Sequence, residues 1–124
     1  ARWYEEALSS VEGISLFKTP PNFRHSYYKY PIKLAEGIDR MKLASLLKEK
    51  YDIETGHVYF PPCHLHPYYM ESFGMRKGDL PTAEHVLPQI MCLPIHCGVT
   101  KENVEYIQNA LVSELTKLSI DTIK

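Results

Sequence analysis

Two stretches of the chain carry apolar residues at the three- and four-residue spacing of an amphipathic helix. The first spans Arg40–Tyr51, where Asp39 is a suitable N-cap and Ile38 can act as a hydrophobic staple. The second follows Thr100, which also predicts an N-cap. The apolar faces that we expect to be buried are Leu43, Leu46, Leu47 and Tyr51 in the first helix, and Val104, Ile107, Leu111, Leu115 and Leu118 in the second.

Four shorter stretches predict β-strands, namely residues 14–18, 25–34, 53–60 and 89–95. The stretch 25–34 is rich in aromatic residues, and Pro31 within it favours an edge position or a bulge. The helix Arg40–Tyr51 separates this stretch from 53–60, which predicts a βαβ-like unit.

Three shorter helices complete the prediction. Residues 1–10 form one, before Gly13; Pro67–Phe73 forms a second, ending at Gly74; and residues 81–87 form a third, which Pro88 stops. The elements together predict an α+β fold, with a short sheet of three to four strands and helices packed on one face.

Length, composition and charge restrict the class of protein. The chain has 124 residues, 44% of them hydrophobic, which suits one domain with a buried core. Fourteen basic and fifteen acidic residues without a basic run give no basis for binding nucleic acid or anionic lipid. No apolar run is long enough for a membrane span, and no stretch is typical of a signal peptide. Three cysteines in no framework spacing favour free thiols, so we predict a cytoplasmic protein.

The densest group of reactive side chains lies within residues 53–69, where the predicted strand runs into Pro61 and Pro62. The side chains that follow these prolines are Cys63, His64, His66, Tyr68 and Tyr69. Because proline restricts the backbone and limits the entropy lost on ordering, this junction is suited to line a pocket.

Two other kinds of chemistry use the same residue types. The nitrogen and sulfur atoms available for a zinc site belong to Cys63, His64, His66, Cys92, His96 and Cys97. No Cys-x-x-Cys pair is present and nearby prolines restrict convergence, so we predict no metal site. A nucleophile at Cys63 is also disfavoured, because neighbours on an extended chain point apart and no glycine-rich oxyanion loop is evident.

Three segments resemble, in order and spacing, the small C-terminal domain of the DegT/DnrJ/EryC1/StrS family. They read HSYYKYPIKL, then GIDRMKLASLLKEKYDIETGHVYFPPCHLHPYY, then FGMRKGDLPTAEHVLPQIMCLPIHCGVTKENVEYI. The most specific parts are PCHLHP within residues 59–69, the helix start LPTAE, and LPI followed by GVT. Members of this family are pyridoxal-phosphate (PLP)-dependent aminotransferases, many of which act on nucleotide-linked keto sugars.

The resemblance implies that residues 1–124 are the C-terminal small domain of a longer aminotransferase, with 1–12 as the tail of an interdomain helix. The fold would be that of the small domain of fold-type I PLP enzymes. In this family a lysine of the large domain holds PLP, and no lysine here lies in the corresponding segment. We therefore expect neither PLP nor a catalytic residue on this chain, which alone would be inactive. The full-length homodimer would transfer an amino group from an amino acid such as glutamate to a nucleotide-linked keto sugar.

The resemblance further implies that this domain supplies a wall that closes over the sugar. The side chains of that wall would be His25, Tyr28, His57, Tyr59 and His64. Many relatives read Val-His-Tyr where this chain reads His57-Val58-Tyr59. Alternation along a strand would place His57 and Tyr59 on one face and Val58 on the other.

Other roles remain open for these residues and for the chain. Tyr59 and His64 are also typical of partly buried side chains whose polar tips bond to backbone. The aromatic residues of 25–34 also suit simple packing on a strand. The alternative function is a free-standing, non-catalytic module of the same fold that binds a ligand or partner, with Trp3 and Tyr4 on an exposed apolar face.

Overall fold

The structure is a computed structural model that describes the backbone of residues 1–121 and the side chains of residues 1–118. Residues 122–124 of the predicted domain lie outside this range. In chain order the elements are α1 (Arg2–Leu8), β1 (Ile14–Leu16), β2 (Tyr30–Leu34), α2 (Arg40–Tyr51), α3 (Pro67–Phe73), α4 (Pro81–Val86), β3 (Ile90–Leu93) and α5 (Lys101–Asp121).

The three strands form one antiparallel sheet in the order β1-β2-β3. Leu16 pairs with Ile32 at the end of β1, and Tyr30 pairs with Leu93 at the end of β3. Side chains of β2 alternate between buried and half-buried, whereas β3 is buried along its whole length. The sheet therefore places β2 at its centre and β3 against the core.

Helices α1 and α2 both pack against α5, and their apolar faces meet the sheet in one hydrophobic core. Ile32 and Leu34 of β2 are completely buried, as are Leu43 and Leu47 of α2. The predicted α+β architecture is confirmed, with three strands. No helix in the described part of the chain is long and apolar enough to cross a membrane.

The two long helices begin where the sequence predicts. Asp39 Oδ1 accepts hydrogen bonds from the backbone N–H groups of Met41 and Lys42, at 2.9 and 3.0 Å. Thr100 Oγ1 accepts from the backbone N–H of Asn103 at 3.2 Å. Each cap satisfies N–H groups that have no partner within the helix, which explains why these boundaries were predictable.

The predicted strand over residues 53–60 is wrong. Gly56 forms an isolated antiparallel bridge with Cys92, and the rest of the segment bends without strand pairing. Asp52 and Tyr59 both adopt left-handed backbone conformations, with φ of 54° and 44°, which interrupts an extended chain. The predicted βαβ-like unit is therefore wrong as well, because β2 is followed in the sheet by the antiparallel strand β3.

Several other elements are shorter than predicted, and the strands predicted at 14–18 and 89–95 extend only over Ile14–Leu16 and Ile90–Leu93. The stretch 25–34 is a strand only over Tyr30–Leu34, and Pro31 lies in the central strand rather than at an edge. Because β1 ends opposite Ile32, no β1 residue lies opposite Pro31. This proline therefore needs no backbone N–H to donate a hydrogen bond to β1. The first helix ends at Leu8, and Gly13 occupies a left-handed turn before β1.

The remaining short helices agree with prediction. Helix α3 ends at Gly74, whose φ of 66° suits a left-handed C-cap. Helix α4 starts at Pro81 and ends at Val86, and Pro88 lies in a single 3-10 turn that leads into β3.

Candidate functional site

The segment that follows α2 exposes two of the predicted site residues. Ile53 is buried, and Gly56 exchanges two backbone hydrogen bonds with Cys92, of 2.8 and 2.9 Å, which fix the segment against β3. After this anchor the chain turns outward at Tyr59, whose side chain is 68% exposed. His57 is exposed and Val58 is half-buried.

Tyr28 and His57 lie close to each other because Lys29 connects them. Lys29 Nζ donates a hydrogen bond to the His57 backbone oxygen at 3.1 Å. The same Nζ lies 5.5 Å from the centre of the Tyr28 ring, within the range of a cation–π contact. The Tyr28 side chain is 77% exposed. Lys29 thus contacts both the exposed Tyr28 ring and the backbone of His57.

His25 lies in a separate feature of the surface. Its Nδ1 accepts a hydrogen bond from the Tyr27 backbone N–H at 2.8 Å, and the two rings are 4.5 Å apart. Both residues line a cleft of about 260 Å³, whose other lining residues include Phe17, Phe23 and Tyr30. The cleft is mostly apolar and aromatic. No described hydrogen bond or ring contact joins His25 to Tyr28, His57 or Tyr59.

His64 differs from the other predicted site residues because it is buried. It lies in a 3-10 turn over Cys63–Leu65, and its side chain is 4% exposed. Its Nε2 is 2.9 Å from Oε1 of Glu84 in α4. In this arrangement the imidazole holds the turn to α4.

Glu84 joins three parts of the chain through one carboxylate oxygen. Besides His64, its Oε1 accepts a hydrogen bond from the Gly78 backbone N–H at 2.7 Å. The hydrogen bond with His64, followed by the one from Gly78, lowers the pKa of Glu84. Sequence analysis missed this role, although Glu84 belongs to the LPTAE helix start. Its position in the first turn of α4 was the available signal.

Arg40 is a second residue whose role was missed. It occupies the first turn of α2, yet it is only 6% exposed, and its Nε donates to the Pro88 backbone oxygen at 3.0 Å. Its guanidinium carbon lies 4.9 Å from the centre of the Phe60 ring. Arg40 therefore ties α2 to the turn before β3 and to the outward-turning segment.

The aromatic side chains of α3 form an exposed group next to this region. No residue of α3 is buried, and the rings of Tyr68, Tyr69 and Phe73 contact one another at centroid distances of 5.3 to 6.0 Å.

Among the described residues, no three His, Cys, Asp or Glu side chains are grouped to hold a metal ion.

The sequence matches the model of the DegT/DnrJ/EryC1/StrS aminotransferase family over residues 1–112. This match includes nearly the whole chain. The chain belongs to that family. The predicted resemblance is thereby confirmed, and it agrees with the fold described above.

Individual relatives show the same pattern. An uncharacterized protein of Methanocaldococcus jannaschii is 35% identical over 115 residues, which are 90% of this chain and 29% of that protein. The dTDP-4-amino-4,6-dideoxy-D-glucose transaminase of Escherichia coli is 27% identical over 114 residues, 90% of this chain and 30% of that enzyme. The solved structure of the aminotransferase TlmJ from Streptoalloteichus hindustanus has a TM-score of 0.80 at 27% identity, covering 95% of this chain and 30% of that one.

The chain thus spans about three tenths of the length of these relatives. Aminotransferases of this family use PLP, which a lysine of the protein holds. A lysine that holds PLP is activated by desolvation or by a neighbouring cation. Every lysine whose side chain is described is exposed or half-buried. These residues do not fit the cofactor, and we derive no step through it on this chain.

Proposed function

We propose that this chain is the C-terminal small domain of a PLP-dependent aminotransferase whose lysine-bearing domain lies outside residues 1–124. The complete protein would transfer an amino group from an amino acid such as glutamate to a nucleotide-linked keto sugar. The observation that carries the proposal is the family match over residues 1–112 in a chain that spans three tenths of its relatives.

The substrate class rests on one relative in particular. The Escherichia coli protein is named a transaminase of a dTDP-linked amino sugar, and it aligns with 90% of this chain. The same chemistry for the complete protein is therefore the simplest proposal. We further propose that the complete protein is a cytoplasmic homodimer.

The role of this chain in such an enzyme would be to hold and orient the sugar. Tyr28, His57 and Tyr59 are exposed, and they offer hydroxyl and imidazole groups that can bond to sugar hydroxyls. His25 would offer a further imidazole group from the rim of the aromatic cleft. His64 would act indirectly, because its bond to Glu84 holds the turn that follows the outward-facing segment. Such contacts position a substrate without moving electrons, whereas the electron sink of the reaction would be the cofactor.

Reductive labelling tests the absence of a PLP lysine. The chain is incubated with PLP, reduced with borohydride and digested, and each lysine peptide is quantified against a sample reduced without PLP. We expect weak labelling spread over the exposed lysines. Stoichiometric labelling of a single lysine would contradict the proposal, because that lysine would then hold the cofactor by itself.

The mass of the natural gene product separates the proposal from its alternative. A product several-fold heavier than 14.3 kDa that transfers amino groups to a nucleotide-linked keto sugar would support the aminotransferase. A natural product of 14.3 kDa would refute it and would favour a non-catalytic module of the same fold.

A further inference from the structure

Arg40 is a buried cation that forms no ion pair with a carboxylate among residues 1–118. Its Nε donates a hydrogen bond to the Pro88 backbone oxygen, and its guanidinium carbon lies 4.9 Å from the centre of the Phe60 ring. Neither Arg40 nor Lys29 forms an ion pair with an Asp or Glu among the residues that the structure describes. Buried charges in proteins are normally paired, so the unpaired guanidinium requires an explanation.

The two Nη groups of Arg40 are available to a ligand. The structure shows no protein partner for them, and no fully buried side-chain nitrogen in the described residues lacks a hydrogen bond. Both groups therefore reach solvent from a side chain that is otherwise enclosed. The neighbouring acid Asp39 does not neutralise them, because its carboxylate caps α2 and makes no ion pair with Arg40.

Lys29 and Arg40 lie at the two ends of the same short segment, residues 57–60. Lys29 contacts His57 at its start, and Arg40 contacts Phe60 at its end. The charges of both cations also affect the pKa of the thiol of Cys92, which is the residue bridged to Gly56. Burial raises the pKa of that thiol, and the charges of Lys29 and Arg40 oppose the increase. Two cations thus contact the two ends of residues 57–60, and neither forms an ion pair with a described carboxylate.

We propose that the surface between Lys29 and Arg40, across residues 57–60, binds an oxyanion of the ligand, either a phosphate or a carboxylate group. The guanidinium offers a planar fork that matches either group, and the ammonium adds a second positive charge. Tyr59 projects from the middle of this surface and its hydroxyl can donate a further hydrogen bond. The assignment of the anion to a substrate rests on the proposed function, since a nucleotide sugar supplies phosphates and an amino-acid donor supplies carboxylates.

Titration of the isotopically labelled chain with two simple probes tests the site directly. Inorganic pyrophosphate represents the phosphate source, and glutarate represents the carboxylate source. The signals followed by NMR are the side-chain Nε–H of Arg40 and the backbone N–H of Tyr59. The variants are Lys29→Met and Arg40→Gln, with Lys33→Met as a matched control from the same strand region. Arg40→Gln disturbs a buried contact. If this variant unfolds, Lys29→Met alone decides the test.

We expect a saturable shift of both signals with at least one probe. Loss of one charge-assisted contact should raise the dissociation constant about tenfold in Lys29→Met, and Lys33→Met should leave it unchanged. Tighter binding of pyrophosphate would assign the site to the nucleotide, and tighter binding of glutarate to the amino donor. No saturable shift with either probe, or equal weakening in Lys29→Met and Lys33→Met, would overturn the proposal. Neither result depends on PLP, so the anion site can fail while the aminotransferase assignment stands.

Discussion

Replacing Glu114 by Gln should destabilise the fold, because this carboxylate joins α2 to α5 from a buried position. Its side chain is 1% exposed. Its oxygens accept hydrogen bonds from Lys117 Nζ at 2.7 Å, from Lys50 Nζ at 2.9 Å and from the Tyr51 hydroxyl at 2.9 Å. Glutamine keeps the shape of the side chain but removes the charge and one acceptor oxygen.

The expected loss is about 2 kcal/mol in the free energy of unfolding at neutral pH. A hydrogen bond to a charged group contributes about 1.5–3 kcal/mol. The two lysine side chains are 47% and 57% exposed, so water can solvate them once the carboxylate is gone. This screening keeps the loss well below the sum of two buried ion pairs.

The loss of unfolding free energy in Glu114→Gln should disappear in acid. Hydrogen bonds from Lys117, and next from Lys50, lower the pKa of Glu114 from its ordinary value of 4.5 to about 2. A carboxylate with a lowered folded-state pKa adds stability above its unfolded-state pKa, and this contribution vanishes as the pH falls through the folded-state pKa. The difference between the parent chain and Glu114→Gln should therefore be constant above about pH 4.5 and shrink towards pH 2. Other carboxylates titrate in both proteins and cancel in the difference.

Urea unfolding followed by circular dichroism, from about pH 7 to about pH 3, measures this difference. The matched control is Glu105→Gln on the same helix, where an exposed carboxylate lies 3.9 Å from Lys101. That variant should change stability by less than about 0.5 kcal/mol at any pH. Equal stability of the two variants, or a Glu114→Gln deficit that persists undiminished in acid, would refute this account of the buried carboxylate.

Two further substitutions probe local contacts. Glu84→Ala should cost about 1–3 kcal/mol, because the buried His64 loses its hydrogen-bond partner. Thermal unfolding beside the exposed control Glu71→Ala measures this loss, and equal melting of the two variants would show that the contact does not stabilise the fold. Asp39→Ala should cost about 1 kcal/mol by removing the cap of α2. Asp39→Asn should recover most of that stability, and a loss no larger than that of Glu36→Ala would argue against the cap.

The elements that sequence analysis predicted well are those with local determinants. Helix α2 has the predicted bounds, because the Asp39 cap and the apolar face are written in adjacent residues. Helix α5 begins after Thr100 for the same reason. The family resemblance was also visible, since short motifs in a fixed order need no coordinates.

The failed predictions depend on contacts between distant residues. Residues 53–60 alternate well enough for a strand, but their pairing is limited to the bridge between Gly56 and Cys92. Strand propensity reflects packing against neighbours, which a single segment does not specify. Tertiary contacts also set the surroundings of the predicted site residues: His64 is buried against Glu84, whereas the Tyr28 ring and the His57 backbone both contact Lys29.

The sequence by itself determined the long helices, the α+β class and the family, because capping, periodicity and motif order act over a few residues. Only the tertiary structure decided which polar side chains are buried. Arg40 lies against Phe60, and Glu114 lies between Lys50 and Lys117, although charged side chains are mostly exposed in proteins. Burial of a charge depends on where distant segments place its partners, and that arrangement exists only in the folded chain.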